Sequence, residues 1–102
     1  MIYLISRHPG AIDWCHQQGI AVDCIIPHLD EQLIEANDEV IGTLPIQIAA
    51  RVQARGARYL HLSLEVPFAW RGQELTCHQM AQAGARLQEF RIIPVLHHLR
   101  AE

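Results

Sequence analysis

Five consecutive residues, Ser6-Arg7-His8-Pro9-Gly10, follow directly on the apolar run Ile2-Tyr3-Leu4-Ile5. They bring together a hydroxyl, a fixed cation and an imidazole that titrates near neutrality. Pro9-Gly10 suits a helix start, where free N–H groups attract anions. A strand ending in such a turn can hold a phosphate and move protons on it. Arg7 and His8 are the candidate reacting groups; Ser6, Pro9 and Gly10 are the candidate cradle.

Strands are predicted over Ile2–Ser6, Val22–Pro27, Glu39–Gly42, Arg58–Leu64 and Arg91–Leu96. A first helix follows Pro9-Gly10 and stops at Gly19, with Ala11, Trp14 and Cys15 on its apolar face. Leu29–Ala36 suits a short acidic helix. A second helix runs from near Pro45 to Gly56 with Ile48, Ala49 and Val52 inward. A third opens on the capping box Thr76-x-x-Gln79, and Met80, Ala83, Leu87 and Phe90 extend it as one buried stripe.

Strands alternating with helices predict a single small Rossmann-like α/β domain. Its sheet has about five strands, mostly parallel, with helices on both faces. Pro94 consigns the last strand to an edge or to antiparallel addition. Ligands in such sheets sit outside the carboxyl ends of the strands. That edge gathers Ser6-Arg7-His8, His28, Gly42-Thr43, Ser63 and Glu65, and the loop up to Glu74 adds Trp70 and Arg71. In the fourth strand Tyr59, His61 and Ser63 share one face. Gly42, Thr43, His61, Ser63 and Trp70 therefore join the candidate ligand-binding residues. Each also has a plainer role: Thr43 as a helix cap, His61 as a satisfied core histidine, Ser63 as a partner of the backbone, Trp70 as a loop cover.

The chain has 102 residues, half of them hydrophobic, which suits one domain with its own core. A dimer would add buried surface. The formal charge is −3, and all eight bases are Arg, so long nucleic acid is a poor partner and an anion must meet a local patch. Asp23 to Glu39 carries six acids and no Arg; Arg51 to Arg58 carries three Arg and no acid. Both suit solvated surface. Three cysteines, Cys15, Cys24 and Cys77, without framework spacing suit a reducing cytoplasm. Neither a signal peptide nor a membrane span is expected. Cys15-His16, Cys77-His78 and His97-His98 are adjacent pairs without metal-site spacing, so no metal is expected. The sequence carries no dinucleotide fingerprint, Walker A loop or nucleophile elbow, and no cofactor is expected.

Arg7-His8 after a strand resembles the Arg-His-Gly motif of histidine phosphatases, with Pro9 where that motif has Gly. That resemblance implies a phosphoesterase working through phospho-His8. A broader resemblance covers most of the chain. Ser6-Arg7-His8-Pro9-Gly10-Ala11-Ile12-Asp13-Trp14, His28-Leu29-Asp30 and Ile41-Gly42-Thr43-Leu44-Pro45 resemble, in order, a small CRISPR-associated family, the sixteenth of the Csx group. So do the stretch from Ala54 to Leu64, Trp70-Arg71-Gly72 and Glu74-Leu75-Thr76.

This second resemblance implies an accessory protein of type III CRISPR defence. It implies a metal-independent ring nuclease that binds cyclic oligoadenylate, cyclic tetra-adenylate first, and switches the antiviral alarm off. Attack by a ribose 2′-OH would leave 2′,3′-cyclic phosphate ends. A Rossmann-like homodimer with the ring across its two-fold axis is implied as well. In that reading Arg7 clamps the scissile phosphate and His8 works as acid or base. Ser6 and Thr43 bind phosphate, while His61, Ser63 and Trp70 line ribose or adenine pockets. A sponge that binds the ring without cleaving it, and a regulatory subunit with no nucleotide ligand, stay open as alternatives.

Overall fold

A computed structural model of the protein describes residues 1–95. Five strands, β1 (Ile2–Ile5), β2 (Cys24–Ile26), β3 (Glu39–Gly42), β4 (Arg58–Ser63) and β5 (Arg86–Glu89), form one sheet in the order β2-β1-β3-β4-β5. The first four are parallel and β5 is antiparallel to β4. Three helices connect them: α1 (Pro9–Gln17), α2 (Ile46–Ala54) and α3 (Cys77–Gln82).

Alternation at period two sorts the strand side chains onto two faces. Leu4, Ile41 and Leu62 point one way, into a core with Ala11, Trp14 and Cys15 of α1 and Met80 of α3. Tyr3 and Val40 point the other way, into a core with Ile34, Ala57 and Val52 of α2. Burying a side chain such as Leu4 or Val52 contributes roughly 1.5–3 kcal/mol. Helices thus cover both faces, α1 and α3 on one and α2 on the other, as βαβ alternation requires.

The expected third helix is shorter than its apolar spacing suggests. It ends at Gln82, and Gly84 follows at φ 75°, a conformation that costs glycine least. The chain then turns back as β5, which pairs Leu62 with Leu87. Leu87 packs beside Met80 from a strand, so the three- and four-residue spacing spans a helix-to-strand turn. The last strand is therefore Arg86–Glu89 and not Arg91–Leu96; residues 91–95 are irregular, and residue 96 lies outside the described residues. Leu29–Ala36 contains only a short 3₁₀ turn, Glu31–Leu33, started by Asp30 accepting the Gln32 N–H at 3.0 Å. The capping box of α3 is present in full.

Past β5 the chain lies against α2. The Gln53 side-chain amide donates to the Phe90 carbonyl and accepts the Ile92 N–H at 2.6 Å. One side chain thereby satisfies both directions of an extended backbone.

The connections from β1 leave on both sides. The chain passes from β1 to the edge strand β2, then crosses back to β3 on the other flank. Where connections part in this way, the carboxyl ends of two neighbouring strands leave a crevice, here between β1 and β3.

Candidate functional site

That crevice holds a cleft of about 180 Å³. Leu62, Leu64, Val66, Leu75 and Met80 make it apolar inside; Ser6, His8, Thr43 and Gln73 bring polar groups to it. The walls follow from the sheet's alternation. Leu62 and Leu64 of the β4 segment sit on the α1/α3 face, and the loop after β4 supplies Val66, Gln73 and Leu75.

Ser6 and His8 form a closed local turn. The Ser6 Oγ accepts the His8 N–H at 3.1 Å, which leaves the hydroxyl proton free to donate. His8 is the residue before α1, in extended conformation, and its side chain caps nothing. Its carbonyl accepts the N–H of Ala11 at 3.0 Å and of Ile12 at 3.3 Å. Pro9 has no N–H, so Gly10 keeps the one first-turn N–H without a backbone acceptor among the described residues. Gly10 is buried because the chain before α3 presses on it. A Cβ there would stand 2.0 Å from the Leu75 carbonyl oxygen. Pro9 and Gly10 border a separate hollow with Asp13, Glu74 and Thr76, not the cleft. The helix end expected to offer several N–H groups offers one.

The imidazole of His8 has a partner that sequence spacing did not reveal. Its Nδ1 lies 3.9 Å from Oε1 of Glu74, with both side chains more than half exposed. Glu74 reaches this place because α3 docks on α1, a contact between residues far apart in the chain. Arg7 is exposed and makes no ion pair or hydrogen bond among the described residues, and it does not line the cleft. Three other guanidiniums are committed to carboxylates: Arg51 to Glu31, Arg58 to Glu39 and Glu89, Arg86 to Glu65.

Thr43 lines the cleft and is exposed. It does not cap α2, whose preceding residue is Pro45; the Pro45 carbonyl accepts Ile48 and Ala49 N–H groups at 3.0 Å. Its hydroxyl is thus not spent on the helix. Gly42 also lines the cleft and lies close to β1, where a Cβ would meet the Ile5 carbonyl at 3.1 Å.

His61 and Ser63 are not brought to this cleft. Register pairs Val40 with Tyr59 and Gly42 with His61, so Tyr59, His61 and Ser63 belong to the α2 face. His61 Nδ1 lies 2.6 Å from the Tyr59 hydroxyl, and its ring meets Phe90 edge-on with centroids 5.9 Å apart. The half-buried imidazole thus packs with Tyr59 and Phe90 on the α2 face, away from the cleft. Tyr59, 1% exposed, is the anchor of the region. Its oxygen accepts the Leu44 N–H at 2.9 Å and stands 3.1 Å from the Gly42 carbonyl. Burial pushes its hydroxyl pKa up, with the Leu44 N–H opposing. Through these bonds Tyr59 holds the loop that carries Thr43. Trp70 is half-buried in the 3₁₀ turn Phe68–Trp70 and does not line the cleft.

Together Ser6, His8 and Thr43 can donate to or accept from an anionic ligand, over an apolar floor. Among the described residues no group of three or more His, Cys, Asp or Glu is placed to hold a metal ion. No described helix is long and apolar enough to cross a membrane.

A parallel sheet covered on both faces, closed by an antiparallel edge, with a polar-mouthed cleft at its switch point, defines a small Rossmann-like α/β protein. The family model described as "Putative CRISPR-associated protein (Cas_VVA1548)" matches residues 3–93, and the chain belongs to that family. No curated protein and no solved structure matches it.

Proposed function

We propose that this protein is a type III CRISPR ring nuclease of the sixteenth Csx kind, binding and cleaving cyclic oligoadenylate, with cyclic tetra-adenylate as the first ring to test. The observation that carries the reading is the position of Ser6, His8 and Thr43 around one cleft at the switch point of a CRISPR-associated chain. Arg7 stands in the same turn with no protein partner among the described residues.

Cleavage would proceed without metal. A ribose 2′-oxygen bonds to its own 3′-phosphorus while the bond from phosphorus to the 5′-oxygen breaks. The products carry a 2′,3′-cyclic phosphate and a free 5′-OH. Arg7, the Ser6 hydroxyl and the Thr43 hydroxyl would meet the charge that grows on the phosphorus oxygens; one such donor is typically worth about 10²–10³-fold. His8 would take the 2′-OH proton or supply one to the leaving oxygen, with Glu74 orienting the imidazole. Holding the three atoms in line supplies much of the rest.

The cleft is smaller than the roughly 300–1,000 Å³ of ordinary ligand pockets. It suits one phosphate and its sugar rather than a whole ring. A two-fold dimer would offer two such clefts to one ring.

Incubation with labelled cyclic tetra-adenylate and separation of products tests the reading. Linear fragments ending in 2′,3′-cyclic phosphate are expected. An intact ring after long exposure to excess protein overturns turnover; a rise in melting temperature with the ring would then leave the sponge. Inorganic phosphate from simple phosphoesters, with covalent phosphohistidine, would favour the phosphatase alternative instead.

A further inference from the structure

Phe68 is 90% exposed, the most exposed of the large apolar side chains in the described residues. It stands on a braced turn at the edge of the cleft. Val66, two residues before it, lines the cleft, and so does Gln73, five residues after. The Trp70 N–H donates to Pro67 at 2.9 Å and the Arg71 N–H to Phe68 at 3.2 Å. Gln73 closes the turn from the cleft side, its Nε2 donating to the Ala69 carbonyl at 3.2 Å. Residues on both sides of the turn are therefore cleft wall, and the backbone that carries Phe68 is braced while its ring is left uncovered.

Its neighbours say what kind of surface this is. Pro67, Ala69, Arg71 and Gly72 are exposed, and Trp70 is half-buried. The turn presents one aromatic ring and one guanidinium, rather than a broad apolar face. Arg71 makes no ion pair or side-chain hydrogen bond among the described residues. A single aromatic ring beside a cation, next to an anion-ready cleft, matches the way proteins hold unpaired bases: the ring stacks and the cation meets the backbone.

We propose that the Phe68–Arg71 turn is the base platform of this cleft, Phe68 stacking on an adenine and Arg71 meeting a flanking phosphate. This rests on the cleft being an oligoadenylate site. It names Phe68, and not Trp70, as the aromatic contact.

The test is binding of cyclic tetra-adenylate, and of the same ring with one adenine replaced by fluorescent 2-aminopurine. Phe68→Ala should bind about five- to a hundredfold more weakly. It should also lose the quenching that stacking causes. Phe68→Tyr and Phe68→Trp should retain both, whereas Phe68→Leu should behave as Phe68→Ala. Arg71→Gln should weaken binding and flatten its dependence on salt. Unchanged affinity and quenching in Phe68→Ala overturns the platform, as does wild-type binding by Phe68→Leu. A change of mass in sedimentation with quenching intact assigns the ring to self-association and overturns it too. If the wild-type protein binds no ring of any size, the cleft reading fails and the platform with it; if the wild type binds and Phe68→Ala binds equally, the platform alone fails.

Discussion

Glu74 stands 3.9 Å from His8, carboxylate oxygen to imidazole nitrogen, although 65 intervening residues separate them in the chain. The two meet because the chain entering α3 packs on the first turn of α1. A carboxylate so placed can orient the ring. His8→Ala is expected to slow cleavage of cyclic tetra-adenylate by about 10²–10⁴-fold while leaving binding in place. Glu74→Gln should slow it less. If Glu74 acts through His8, as proposed, the double variant should be no slower than His8→Ala alone. Single-turnover rates of the four proteins decide this, and additive losses would separate the two residues.

Arg7 gives a different signature. Its guanidinium has no protein partner among the described residues, so removing it leaves no buried charge behind and the fold should be unaffected. Arg7→Ala is expected to weaken ring binding about tenfold and to reduce the slope of log affinity against log salt by about one. Arg7→Lys should restore part of the affinity, since an ammonium lacks the two-pronged geometry of guanidinium. Titrations at several salt concentrations measure both. Parental affinity and slope in Arg7→Ala would remove the residue from the site.

Gly10 tests the architecture behind the site. A methyl group there would stand 2.0 Å from the Leu75 carbonyl oxygen, and backbone must move to admit it. Gly10→Ala is expected to lose about 1–3 kcal/mol of stability in denaturant titration, in line with overpacking elsewhere. It should also disturb the His8–Glu74 pair, because both lie on the surfaces being pushed apart.

These residues mark what was legible in the sequence. The turn Ser6–Gly10, the opening of α3 and the βαβ order all follow from neighbours a few positions apart, and the structure has them. Glu74 was invisible because its meaning depends on how α3 packs against α1. His61 and Ser63 were placed on one face of β4 correctly, but nothing local says which face borders the crevice; the positions of α1 and α3 decide it, and they put Leu62 and Leu64 there. Leu87 and Phe90 matched helical spacing because the pattern ran unbroken through the turn at Gly84. Tyr59, the anchor of the Gly42–Leu44 loop, showed only as one member of an alternating strand.

Stability should depend on acidity through Asp38. This carboxylate is 7% exposed, accepts the Glu35 N–H at 2.9 Å and pairs with the Met1 ammonium at 3.0 Å. Those donors, the Glu35 N–H first, hold it below its ordinary value of 3.8. The unfolded chain therefore takes up this proton at higher pH than the folded one. The stabilisation is whole above about pH 5 and is lost as pH falls through the folded value. Glu31, Glu65 and Glu89, held low by Arg51, Arg86 and Arg58, act in the same direction from surface pairs that contribute little each. Melting temperature against pH should fall more steeply below about pH 4 for the wild type than for Asp38→Asn, which should start lower at neutrality. Parallel curves would deny Asp38 this role.

The antiparallel run of β5 has a practical meaning. β1 begins, and β5 ends, at the amino edge of the parallel strands, opposite the crevice at their carboxyl edge. Residues 2 and 89 therefore share one pole of the molecule while the cleft occupies the other. A label or surface linkage introduced near either residue would leave the cleft facing bulk solution. Two copies joined tail to head through a flexible tether could still turn both clefts toward a common ligand.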